Sequence, residues 1–280
     1  MVKSGLLAPP NPFEPLYKAI AMFKRDARLA LSYDLNFWLQ WISIGVSVLG
    51  FYYISKLMPP KDAFGTPGHP GRYFDWIVIN LAFVRFQATA IASFQMAIRN
   101  DQMAGTLEVL MATPTSLPLI VLSTGLWGFT LTAIQVCVFM LLAVPLGADF
   151  SHVNLLTGAV FVLLTIACMS PIGVMSAATI MTFKQAGPAG FIMGSGSNLL
   201  GGVLFPVATL PVALQYVSWF LPITHALNGI RGAVHGLTLG QVAPDALWLA
   251  VATCVLLPIS LYSFGRAVQR AKLDGTLGQY

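Results

Sequence analysis

Residues 154–181 read NLLTGAVFVLLTIACMSPIGVMSAATIM, an apolar run with no charged side chain. It exceeds the ~20 residues a helix needs to cross hydrocarbon. A backbone in lipid finds no water to bond with, and a helix satisfies its own N–H and C=O groups. Five more apolar stretches accompany it, at about 37–57, 74–98, 118–146, 188–205 and 245–264. The pattern reads as an all-α integral membrane protein with six spans, forming one domain over residues 1–280. Pro171 is expected to kink the fourth span by removing a helix hydrogen bond.

Composition agrees. Hydrophobic residues make up 56% of the 280 and charged residues 9%, against about 25% charged in soluble domains. The net charge of +5 does not imply nucleic acid, because the basic residues flank the spans. Lys3, Lys18, Lys24, Arg25 and Arg28 precede the first span, and Arg266, Arg270 and Lys272 follow the last. Lys and Arg concentrate in cytoplasmic loops, which places both termini inside and the protein, multi-pass, in the cell (inner or plasma) membrane. Cys137, Cys168 and Cys254 lie singly in apolar stretches, without metal or disulfide spacing. The first residues, with Pro9, Pro10 and Pro12, lack the apolar centre of a cleavable signal, so insertion is expected to rely on the spans.

Between the spans the chain changes character. Over 13–33, Phe13, Leu16, Tyr17, Ile20, Phe23, Ala27 and Leu31 recur at helical spacing beside Lys18, Arg25 and Arg28. This suits an amphipathic helix in the headgroup region, or alternatively a helix packed on protein. Trp38 and Trp41 at one end of the first span, and Phe51, Tyr52 and Tyr53 at the other, resemble aromatic belts. Residues 206–243 are oily yet broken by Pro211, Pro222, Gly229, Gly232 and Gly236. They read as re-entrant helices, which survive at depth only where protein or a wet cavity covers the backbone. Gly190, Gly194, Asn198 and Gly202 recur every fourth residue of the fifth span, a strip that suits close helix packing.

Residues 99–114 read as a short cytoplasmic docking helix. Asp101 can cap it, Met103, Leu107, Leu110 and Met111 share a face, and Pro114 ends it by biasing Thr113 away from helix. A plain amphipathic connector is the alternative. Gly105-Thr106-Leu107-Glu108 followed by Thr113-Pro114 resembles the signature of type-two ABC exporter permeases, where it forms the coupling helix seated in the ATP-binding subunit. Gly202-Val203-Leu204-Phe205-Pro206, Leu210-Pro211, Leu221-Pro222 and Arg231 are similar to that family's re-entrant outer helices. The start of the chain resembles the drug-exporting branch. Many members carry Arg and Glu just before the Gly-Thr-Leu-Glu core, whereas Gln102, Met103 and Ala104 stand here, with Arg99 and Asp101 further back.

The resemblance implies a non-catalytic permease with two ATP-binding subunits, a second permease copy or paralogue, contact with membrane lipid and export of an amphiphilic substrate. It assigns coupling to Arg99, Asp101, Gly105, Thr106, Leu107, Glu108, Leu110, Thr113 and Pro114. No cofactor is expected in this chain, and ATP with its Mg belongs to the partner. No lysine here follows a glycine, so the Gly-Lys of a phosphate loop is absent. The candidate path or gate comprises Arg85, Gln87, Phe205, Pro206 and Pro211. Arg85 at mid-span costs at least ~2.5 kcal/mol on insertion scales. It either lines the path near Gln87 or Asn80 and contacts anionic headgroups or substrate, pairs two helices, or snorkels to the interface. His225, Arg231 and His235 read as ordinary headgroup-level residues, since their spacing suits no common metal pattern. A membrane enzyme would need clustered acid and base groups, and an ion-driven secondary transporter would need intramembrane carboxylates and a repeated half. Neither pattern stands out.

Overall fold

The computed structural model describes residues 14–31, 34–57, 73–103, 117–183 and 196–273. Helix α1 covers Glu14–Leu31, α2 Asp34–Leu57, α3 Tyr73–Met103 and α4 Leu117–Ala143, with a 3-10 turn at Val144–Leu146. Helix α5 covers Leu155–Phe183, α6 Ser197–Leu200, α7 Val212–Phe220, α8 Pro222–Val234 and α9 Ala243–Leu273. No strand occurs among the described residues. Four stretches there, Tyr73–Met96, Gly125–Leu146, Leu155–Thr179 and Ala243–Arg270, are long and apolar enough to cross a membrane. Helix α2, with 24 residues, also exceeds the ~20 needed for length.

Helix α3 is the centre. Buried residues fill 61% of its span window, against 17% for α4 and for α9. Its sequence has apolar side chains on more than one face, as a helix inside a bundle requires. Phe74, Val78 and Ala82 meet Ile44 and Val48 of α2 and Phe139 and Ala143 of α4. Ile79, Phe83, Ala90 and Ile91 meet Phe161, Cys168, Met169 and Ile172 of α5, together with α8. Helix α5 in turn packs on α9. Helix α1 lies against α4, with Phe23 edge-on to Trp127 at 5.5 Å between ring centroids. Tyr17, Ile20, Lys24 and Arg28 remain on its open side. One face therefore packs on protein while the other mixes apolar and basic groups.

Several boundaries shift from the sequence reading. Helix α3 continues to Met103, so Arg99 and Asp101 belong to its last turns. Helix α9 begins at Ala243 and reaches Leu273, carrying Arg266 and Arg270. Arg266 stays on the helix with its guanidinium over Tyr262, 4.8 Å from the ring centroid. The segment expected as the fifth span ends its helix at Leu200 rather than 205. Gly202 there has φ +78°, a conformation a side chain disfavours. The glycine strip thus does not continue on one helix as far as Gly202; residues 188–195 lie outside the described set.

Helices α7 and α8 replace a full span by two short pieces joined at Leu221-Pro222. Thirteen residues of α8 rise about 20 Å, short of a ~30 Å hydrocarbon core. Pro222 starts α8 at a position where its missing N–H is harmless. Every residue of α8 from Ile223 onward is buried, Asn228 excepted. The Asn154 side chain caps α5 by accepting from Thr157 N–H at 3.2 Å, and the Asn154 N–H donates to the Ala233 carbonyl at 2.8 Å. The end of α8 is thereby tied to the start of α5. At their crossing a Cβ on Gly229 would lie 1.9 Å from the Phe161 ring. Gly229→Ala should lower thermal stability in detergent by about 1–3 kcal/mol, the usual penalty of overpacking. Combining it with Phe161→Leu should recover part of that loss; simple addition of the two effects in melting curves would contradict this contact.

Candidate functional site

Several buried polar groups of the bundle gather around α8. Arg231 is 8% exposed and Asn80, on α3, is 0% exposed. Arg231 Nε donates to Asn80 Oδ1 at 2.9 Å, and its NH2 donates to the Gly202 carbonyl at 2.6 Å. The Asn80 amide donates to the Val203 carbonyl at 2.8 Å. Trp76 covers the guanidinium, 4.7 Å from Cζ to the ring centroid. The Ser218 hydroxyl reaches the Leu200 carbonyl at 2.7 Å. The chain after α6 leaves helical geometry, which strands carbonyls that lipid cannot satisfy. Ser218, Arg231 and Asn80 satisfy three of them, at Leu200, Gly202 and Val203. Arg231 is a clasp between α8, α3 and the broken segment, a role that its spacing in the sequence did not suggest. The signal was available in an Arg on an apolar short helix and an Asn inside a span, both expensive unless paired.

Arg231→Met should orphan the Gly202 carbonyl and Asn80 Oδ1, at about 1–3 kcal/mol per buried group. Adding Asn80→Leu should cost less than the sum of the single changes; additive melting data would show the two side chains to be independent.

A second clasp joins α8 to α7 and α9. His225 stacks on Trp248 with centroids 4.5 Å apart and meets Trp219 edge-on at 5.6 Å. Its Nδ1 lies 2.6 Å from Asp245 Oδ1, and Nε2 lies 2.8 Å from the Trp219 carbonyl oxygen. A carbonyl only accepts, so Nε2 carries a proton, and a carboxylate facing Nδ1 favours a second. Burial disfavours the charged ring, but the hydrogen bonds to Asp245 and Trp219 and the Asp245 charge outweigh it and raise His225 above its ordinary value. A raised folded value contributes stability that is complete below about pH 6.5 and disappears as pH climbs through that raised value. Melting temperature should therefore fall on the alkaline side in the wild type and change less in His225→Gln; parallel pH profiles would refute the clasp.

The expected path residues do not converge. Arg85 is partly exposed on α3, with Cζ 5.5 Å from the Phe139 ring centroid of α4. Gln87 is 2% exposed, and its Oε1 has no hydrogen-bond partner among the described residues. Two residues on a helix are about 200° apart, which separates these side chains. Asn80 serves Arg231 rather than Arg85. Phe205 and Pro206 are partly exposed at the turn before a 3-10 segment, and Pro211 is exposed at the start of α7. Of the coupling residues, Arg99 is exposed near the end of α3, and Asp101 lies in its last turn. Gly105, Thr106, Leu107, Glu108, Leu110, Thr113 and Pro114 lie outside the described residues. A cleft of about 1120 Å³ runs between α5 and α9, apolar along Met175, Trp248, Val255 and Leu256 and bordered by Arg266 and Arg270.

Long apolar helices around a central one define a helical membrane protein. The sequence model of the ABC-2 type transporter family matches residues 18–235. The chain belongs to that family: it is the membrane-embedded, non-catalytic permease component of an ABC transporter, and the family implies an ABC ATP-binding partner. No curated protein matches this chain.

Proposed function

We propose that the chain is one permease half of an ATP-driven exporter that moves an amphiphilic molecule out of the cytoplasm. It has six spans, with α1 at the headgroups, α7 and α8 re-entrant from the outer side, and both termini cytoplasmic in the cell membrane. Two permease halves, identical or paralogous, work with two ATP-binding subunits, which hold ATP and its Mg. Residues 99–114 are the coupling segment.

The observation that carries this reading is the course of α3. It is one helix of 31 residues, about 46 Å long at 1.5 Å per residue. One end holds Trp76 and Asn80 on the Arg231 clasp, and the other leads directly into Gly105-Thr106-Leu107-Glu108. A push on that cassette reaches the outer cap through an unbroken helix. The cleft with apolar walls and a cationic border supports an amphiphilic cargo, and the drug-exporting branch fits the same chemistry.

Copurification of an ATPase, followed by transport in vesicles, tests the proposal. Glu108→Ala and Gly105→Leu should leave insertion intact but lower transport per ATP hydrolysed by roughly tenfold, the scale of one lost charge-assisted contact. Unaltered coupling in both variants would remove the cassette from the mechanism.

A further inference from the structure

Among the described residues, Arg85 and Arg231 both lie on apolar helices, and their surroundings differ in kind. Arg231 has a side-chain oxygen, a backbone carbonyl and an indole face. Arg85 has the Phe139 ring alone: among the described residues no acceptor or carboxylate meets it. It stands next to the midpoint of the Tyr73–Met96 span, where water is least available. An aromatic ring occupies a face of a guanidinium, whereas its five N–H donors lie in the plane and radiate outward. The ring therefore steadies Arg85 without using the donors that recognise anions.

The face of α3 on which Arg85 sits is open. Ala88, Ala92 and Met96 follow at helical spacing, and all three are exposed. The two alanines are too short to cover the guanidinium, and none of the three offers it a strong acceptor. The nearby hydroxyl of Thr89 is already engaged with that of Thr132 at 2.6 Å. From Arg85 to Met96 the apolar track runs about 16 Å along the helix. A negatively charged head at Arg85 with a hydrocarbon tail along this track satisfies both halves of the surface. Bidentate donation by arginine suits phosphate and carboxylate groups, and at this depth little solvent weakens the pair.

We propose that Arg85 is an intramembrane anion subsite that takes the negatively charged headgroup of an amphiphile, with the tail along Ala88, Ala92 and Met96. This rests on the permease reading and narrows its cargo to anionic amphiphiles. The same chemistry is shared by a phosphate-bearing amphiphile and by free phosphate, and the apolar track favours the former.

The test is ligand-induced thermal stabilisation of the purified full chain in neutral detergent. The probes are lysophosphatidic acid, lysophosphatidylcholine with the same acyl chain, and inorganic phosphate. Lysophosphatidic acid should raise the melting temperature of the wild type by several degrees, as binding to the native state does. The choline analogue and inorganic phosphate should leave it within error. Arg85→Met should abolish the shift, Arg85→Gln should do the same, and Arg85→Lys should retain part of it; the last two keep the comparison available if the Met variant does not fold. An equal shift in wild type and in the uncharged variants would overturn the assignment, as would an equal shift with the choline analogue. An Arg85-dependent shift with inorganic phosphate of the same size would overturn the amphiphile assignment in favour of a free anion. Loss of a dimer in Arg85→Gln, read by light scattering, would give this face to a second copy of the chain and overturn the proposal as well. The permease reading is judged separately by ATPase copurification, so its failure would leave the binding result standing.

Discussion

A guanidinium removed from water, holding the open carbonyls of a broken helix, sets the geometry around α6, α7 and α8. Arg231 reaches Asn80 and the Gly202 carbonyl, and Asn80 reaches Val203. Without these donors the segment after Leu200 would expose unpaired backbone in an apolar setting. With them, the chain can leave helical geometry at Gly202 and return through α7 and α8. The burial of α8, its close crossing with Phe161 at Gly229 and the tie from Ala233 to Asn154 all follow from that fixed position.

The two arginines show why burial alone does not assign a role. A charge at depth is expensive in either place. Arg231 is answered by neighbours that every copy of the protein supplies, and its removal disrupts architecture. Arg85 has the Phe139 ring beside it, and no acceptor meets it among the described residues. Charge, depth and partners together separate a structural group from a recognising one.

Much of the architecture was legible because lipid imposes one rule on every span, and long uncharged runs such as 154–181 obey it visibly. Ends were less legible. Helix α9 passes Phe264 to Leu273 because nothing in Arg266 to Arg270 breaks a helix. The four-residue spacing of Gly190, Gly194, Asn198 and Gly202 imitates a packing strip, yet Gly202 sits at positive φ. Spacing cannot distinguish a glycine chosen for closeness from one chosen for its backbone. The Arg231 clasp joins residues 151 positions apart, a separation that no local pattern encodes. Most residues of the cassette, from Gly105 to Pro114, rest on their sequence signature, while Arg99 and Asp101 have a place at the end of α3.

Helix α2 is held differently from its neighbours. Among its described residues only Ile44 and Val48 are buried, with one Gln40–Gln135 hydrogen bond at 2.9 Å adding a polar tie to α4. Two buried aliphatic side chains contribute only a few kcal/mol, and Tyr52 adds an edge-on contact with Phe74 of α3 at 5.6 Å. Helix α2 is therefore joined to the bundle along a single narrow seam, where Ile44 and Val48 enter the cluster shared with α3 and α4. Burial is concentrated along α3 and α8, and α2 sits at the margin of the bundle.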